Sequence, residues 1–107
     1  MSSIQEKLLG QLRPSGTGAE VVYTVPSDTT AIVKTIVVSN VGSGTIKYSI
    51  FVSEATTYDE STTISFDISL ATEKTDFIQT YIATTGSIAF KTDTANDATI
   101  TLFGAEI

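Results

Sequence analysis

Seven short runs rich in β-branched and aromatic residues recur along the chain, each closed by a cluster of turn-forming residues. They are residues 21–25, 31–39, 45–53, 63–70, 76–83, 87–92 and 98–105. Apolar and polar residues alternating over such lengths read as strands, because side chains on a strand point to opposite faces in turn. A spacing of roughly 10 to 15 residues with turns between argues for a sandwich or a barrel. "PSDTT" (26–30) is a turn led by proline, and "NVGSG" (40–44) is a hairpin loop whose glycines are free to take positive φ. The expected fold is all-β: an antiparallel β-sandwich, jelly-roll-like or Ig-like, of about seven to eight strands with a short N-terminal arm.

The segment before these runs reads differently. Ser3 and Glu6 have capping-box spacing, and Ile4, Leu8 and Leu12 lie four apart, as in a helix. A helix of under three turns is marginal on its own. The alternative is an extended arm that lays Leu8, Leu9 and Leu12 on a neighbouring surface. "PSGTG" (14–18) then makes a flexible joint. The expected division is an arm and joint over 1–18 and a β-sandwich over 19–107. The arm is expected to touch another chain more than its own domain.

The stretch "TAIVKTIVVSNVGSGTIKYSIFV" (30–52) carries large apolar groups on both faces of two consecutive strands. Strict alternation places Ile32, Ile36 and Val38 on one face and Val33, Thr35 and Val37 on the other. In the partner strand Ile46, Tyr48, Ile50 and Val52 share a face, and Phe51 points away. Only one face can enter a single core, so the second must be covered by the chain's own loops or by another subunit. Lys34 sits among Ile32, Ile36 and Val38, which marks that face as the one near a subunit contact. Of the other runs, 63–70 alternates most cleanly, with Ile64, Phe66, Ile68 and Leu70 on the expected core face. Truncating a core Phe66 to alanine would cost about 3 to 5 kcal/mol.

Composition removes several function classes. A formal net charge of −6 repels phosphate backbones, so nucleic acid is not an expected partner. No apolar run approaches the roughly 20 residues of a membrane-spanning helix, and membrane is likewise not expected. The opening residues lack the basic-then-apolar layout of a secretion signal, so the cytoplasm of the producing cell is the expected place of synthesis and assembly. Cysteine and histidine are absent, which leaves no thiolate, no disulfide and no imidazole base. Threonine, at 19 residues, suits the solvent face of strands.

Few residue groups suggest chemistry. "EATTYDES" gathers Glu54, Asp59 and Glu60, and paired carboxylates can hydrolyse glycosides; an Asx-turn at Asp59 accounts for it equally. "KTDTANDA" gathers Asp93, Asn96 and Asp97, oxygen ligands of the kind calcium takes, without the spacing of a calcium-binding loop. The serines have no histidine beside them and no S-x-x-K signature. The glycine clusters do not lead into a helix with the lysine of a phosphate loop. Tyr23, Tyr48, Tyr58 and Tyr81 can stack on sugars or pack across strands. No catalytic residue, cofactor or metal ligand is assigned.

Three stretches carry a resemblance: "LLGQLRPSGTGAEVVYTVPSDTTAIVKTIVVSN", "TTYDEST" and "FKTDTANDATITLFGAEI". In cadence the chain resembles small virion structural proteins of tailed bacteriophages. That resemblance implies a β-sandwich that works by assembly within the virion, without catalysis. Together with the missing His and Cys and the two-faced strands, it makes a capsid decoration (cement) protein that binds the major capsid protein or other virion proteins the leading expectation. The alternative it leaves open is a tail-tip, baseplate or fibre module that binds the host surface. A homo-oligomer is expected, with a trimer suggested by the threefold sites of shells, and with Leu8, Leu9, Leu12, Ile32, Ile36 and Val38 at its interfaces.

Overall fold

A computed structural model describes residues 6–107. Eight strands account for most of them: β1 (Lys7–Leu12), β2 (Glu20–Thr24), β3 (Ala31–Asn40), β4 (Ile46–Ser53), β5 (Thr63–Leu70), β6 (Thr75–Thr84), β7 (Ser87–Thr92) and β8 (Ala98–Glu106). They form two four-stranded antiparallel sheets. Sheet A has the order β1-β8-β3-β6 and sheet B the order β2-β7-β4-β5.

The pairing is nested. β1 pairs with β8, β2 with β7, β3 with β6 and β4 with β5. The chain is thus one long antiparallel ribbon, folded back at the β4–β5 connection and wound on itself. The β3–β8 and β4–β7 ladders seal the windings into sheets. This winding is the jelly-roll arrangement, and it decides between the two sandwiches that the sequence allows.

The core lies between the sheets. Val33, Ile36, Val38, Ile100 and Leu102 of sheet A meet Ile46, Tyr48, Ile50, Ile88 and Phe90 of sheet B. All are buried, and at roughly 1.5 to 3 kcal/mol for each fully buried large apolar side chain this cluster dominates the favourable side of folding. Tyr48 and Phe90 pack at 5.9 Å between ring centroids. The Tyr48 hydroxyl crosses to sheet A and donates to Asp76 Oδ2 at 2.7 Å. On the other flank the Tyr23 hydroxyl of sheet B donates to Glu106 of sheet A. Burial, then the facing carboxylate, pushes both phenols well above their usual range. Among the described residues, no buried side-chain nitrogen or oxygen lacks a partner.

Three expectations need correction here. The first concerns the arm. Residues 7–12 are a strand at the edge of sheet A, with Lys7 opposite Gly104 and Leu12 opposite Ile100. Leu9 and Leu12 pack on the core from there, while Leu8 faces outward. Residues 1–5 of the expected arm lie outside the described residues. The helical spacing of the leucines was accidental: a β-bulge at Leu9 lets successive leucines reach different faces.

The second concerns the faces of β3. Both ladders of β3 slip between Val33 and Thr35, at Lys34. β6 and β8 keep their parity across the slip, so the irregularity belongs to β3. Ala31, Val33, Ile36 and Val38 consequently all face the core, and Ile32, Thr35 and Val37 face outward. Ile36 and Val38 are 0% exposed within this single chain and cannot serve a subunit contact; of the expected trio only Ile32 lies outside. Gly104 makes the bulge possible. A Cβ there would sit 1.9 Å from the Ile32 carbonyl oxygen.

The third concerns β5, whose alternation breaks at Asp67. That residue takes φ 49° and its amide is held by Ser49 Oγ at 2.9 Å. Leu70 stays opposite Ile46 and is buried, Ile68 stays opposite Tyr48 but is 39% exposed, and beyond the break Ser65 is the residue opposite Ile50. Ile64 and Phe66 therefore turn outward, and Phe66 is 47% exposed. Among the described residues the left-handed positions fall on Asp28, Asp67, Glu73 and Asn96 and on no glycine, so the "NVGSG" loop does not use its glycines that way. Asn40 shapes that loop instead, accepting from Gly42 N at 2.9 Å and donating to Gly44 O at 2.8 Å.

Candidate functional site

Each residue group that suggested chemistry has a structural partner. Glu54 accepts from Thr84 Oγ1 at 2.7 Å, and from Thr85 Oγ1 at 2.6 Å and Thr85 N at 3.1 Å. These bonds hold its carboxyl below the usual range, Thr85 contributing most. The result is a clamp between the start of the β4–β5 loop and the β6–β7 turn. Asp59 accepts from Ser61 N at 2.8 Å and Ser61 Oγ at 2.5 Å, an Asx-turn within the same loop. Asp93 Oδ1 accepts from Lys47 N at 3.0 Å, and Asn96 exchanges with the Arg13–Pro14 segment through its backbone. Among the described residues no group of three or more acidic side chains is placed to hold a metal ion. No helix among the described residues is long and apolar enough to cross a membrane.

The outer faces of the two sheets differ sharply. On sheet B the chain covers the central Phe51, while Val21, Ile64 and Phe66 on the edge strands stay exposed. Phe51 points away from the core yet is only 2% exposed. The ring of Tyr58, from the β4–β5 loop, packs on it at 6.4 Å between centroids. Gly18, Ala19, Phe66 and Lys91 line a surface cavity beside the two rings. The Tyr58 hydroxyl is anchored to Ser87 Oγ at 2.6 Å, so the lid is tied down by the sheet it covers.

On sheet A nothing in the described chain plays that part. Two rows of side chains cross the outer face. One runs Leu8, Phe103, Thr35, Gln79 and the next runs Gln11, Thr101, Val37, Phe77. Tyr81 stands on the same face of β6, one step beyond Gln79, while Ile32 fills the interior of the face. Phe77 is 70% and Tyr81 71% exposed, the highest values of any large apolar or aromatic side chain described. The polar groups in the rows bond to each other: Gln11 Nε2 donates to Thr101 Oγ1 at 2.9 Å, and Ser39 meets Thr75 at 3.3 Å. The one charge rising through this face, Lys34 at the bulge, is paired with Glu6, which raises its pKa. A wide, mostly uncharged surface studded with aromatics excludes water poorly by itself and gains by being covered.

Of the residues the sequence suggested for interfaces, the structure brings Leu8 and Ile32 to this surface. Leu9, Leu12, Ile36 and Val38 it turns toward the core. Phe77, Tyr81 and Phe103 were missed. Their signal was present, since each alternates with an apolar neighbour that faces inward, but alternation does not tell which side of a strand is dry.

No family model matches the chain, and no curated protein does. Among solved structures, that of infectious bursal disease virus, Gx strain, superposes with a TM-score of 0.43 at 11% identity over 97% of this chain. The chain spans about a third (32%) of the length of that structure's chain.

Proposed function

We propose that this is a non-enzymatic virion structural protein of a tailed bacteriophage, working as a capsid decoration (cement) protein. The observation that carries this reading is the bare, mostly uncharged outer face of sheet A, on a domain where Glu54, Asp59 and Asp93 are engaged in turns and clamps. Such a face adheres, and adhesion across joints between shell subunits is what a cement protein supplies. The resemblance of the "LLGQLRPSGTGAEVVYTVP" and "FKTDTANDATITLFGAEI" stretches to small virion proteins supports the same class. Its partners in this reading are the major capsid protein or other virion proteins, together with further copies of itself. Its place is the assembled particle.

Binding of the purified protein to emptied, undecorated shells, compared with binding to host cells, tests the reading. Shell binding that Phe103→Glu abolishes is the expected result. Phe103 stands on the outer face beside Leu8, so its charge blocks docking without touching the core. Binding to host cells with none to shells would replace the decoration role by that of a tail-tip, baseplate or fibre module.

A further inference from the structure

A sandwich of two open sheets has four edge strands, and three of these are blunted. β1 has six residues and a bulge at Leu9. β2 has five residues and slips between Val21 and Tyr23. β5 is broken by the left-handed Asp67 and slips twice against β4. Short length, bulges and charges are the devices by which proteins keep strand edges from pairing with other chains. β6 has none of them on its free side. It is ten residues long and contains no proline, lysine or arginine. Exposed and half-buried positions alternate along it without a break, through the point where β3 slips at Lys34. Its one charge, Asp76, faces inward and is bonded by Tyr48.

The sequence of β6, "TDFIQTYIAT", is also self-complementary about its centre. Laid antiparallel on a second copy across a two-fold axis at Gln79, it places Gln79 opposite Gln79 and Phe77 opposite Tyr81. The same register sets Ile78 opposite Thr80, Thr75 opposite Ala83, and Asp76 opposite Ile82. No like charges meet. The two aromatic pairs fall on the outer face, where Phe77 and Tyr81 are most exposed. Directly opposed aromatics are among the better cross-strand pairs. An aromatic side chain carries roughly 150 to 250 Å² of buriable surface, so these four, more than two-thirds exposed, offer about 400 to 700 Å². With the backbone row and its flanks, that approaches the roughly 1,000 Å² of a specific contact.

We infer that the free edge of β6 is a homodimer contact, in which two copies pair β6 to β6 about Gln79 and join their A sheets into one eight-stranded sheet. The occupant is a second copy of this chain. The contact is isologous and closes on itself, which distinguishes it from the trimer that threefold shell sites suggested. It also doubles the bare outer face and keeps it continuous. The inference goes beyond the decoration role and stands whether or not the particle partner is a shell.

Charge swapping at Gln79 tests it. Gln79 is exposed, so substitution there leaves the core intact. The molar mass by light scattering at micromolar concentration is expected to be that of two chains for the wild type. Gln79→Lys and Gln79→Glu each set like charges face to face and are expected to weaken self-association at least about tenfold. An equimolar mixture of the two variants is expected to recover dimers, one lysine facing one glutamate. A monomeric or trimeric wild type overturns the inference. So does a Gln79→Lys protein with wild-type mass, or a mixture of the two variants that stays monomeric.

Discussion

Sheet A and sheet B have the same number of strands and nested partners, yet only sheet B covers an aromatic at the middle of its outer face. Over sheet B the long β4–β5 connection turns back, seats Tyr58 on Phe51 and ties the tyrosine to Ser87. Over sheet A the connections stay at the ends of the strands, and Phe77, Tyr81, Phe103 and Leu8 stand in the open. The faces also differ in residue type: Lys47, Ser49, Asp67 and Lys91 stand on the outer side of sheet B, where sheet A carries uncharged rows. Connectivity adds to this: β4–β5 is the one connection that joins neighbouring strands of the same sheet, and it returns across sheet B, while every other described connection passes between the sheets.

The largest expected effect pits two outward phenylalanines against each other. Phe51→Ala removes a side chain that is outward in geometry but buried in fact, and is expected to cost about 3 to 5 kcal/mol in chemical denaturation. Phe77→Ala, on the bare face, should change the stability of the single chain by less than about 0.5 kcal/mol, measured in the Gln79→Lys background that keeps β6 unpaired. Equal losses would erase the distinction between the faces.

The next test concerns the ties between the sheets. Tyr48→Phe leaves Asp76 without its cross-sheet donor and should cost about 1.5 to 3 kcal/mol, the range for a hydrogen bond to a charged group. A loss no larger than that of an exposed substitution would mean that packing alone holds the sheets in register.

Phe66→Ala sharpens the comparison further, because Phe66 sits at the rim of the covered face. Half exposed, it should lose about 1 kcal/mol, well short of the value expected for a core position. A loss of 3 kcal/mol or more would show that the lid over Phe51 depends on it.

The smallest effect is one of pH. The Glu54 carboxyl is held below its usual range by Thr85 and Thr84. A carboxylate whose folded pKa lies below its unfolded one contributes stability that is present above the unfolded value and lost as pH falls through the folded one. Acid titration of the wild type should therefore show a component, near and below the ordinary glutamate range, that Glu54→Gln lacks. Tyr23 and Tyr48 act at the other end: their raised pKa values give stability that is present below about pH 10 and lost at higher pH.

Much of this architecture can be read from the residues. Seven strands lie within a residue or two of their apolar runs, because β-branched alternation and turn clusters act locally. β1 could not be read that way. "KLLGQL" has helical spacing and a glycine, and its partner β8 lies some ninety residues away. The faces of β3 were illegible for a different reason: in "AIVKTIVV" both parities are apolar, so a one-residue bulge at Lys34 reverses the outcome without a trace in the pattern. β5 failed in the opposite sense. Its pattern was the clearest in the chain, but neither its place at a sheet edge nor the left-handed turn at Asp67 is written in the alternation. The candidate surface was half legible. Of the residues expected at an interface, Leu8 and Ile32 do lie on the outer face of sheet A, and only the three-dimensional rows identify Phe77, Tyr81 and Phe103 as facing out beside them.

The ribbon-like pairing has a consequence for how the chain reaches this state. Only β4 and β5 are close in sequence, so the loop-closure cost is lowest there and rises with each outward pair, β3 with β6, β2 with β7, β1 with β8. The order of assembly is set from the middle of the chain toward its flanks. During synthesis this inverts the order of emergence: β1 leaves the ribosome well before β8 exists to receive it. Until that last pair zips shut, Leu8, Leu9 and Leu12 travel uncovered, and the interval is when the molecule is most exposed to pairing with the wrong neighbour.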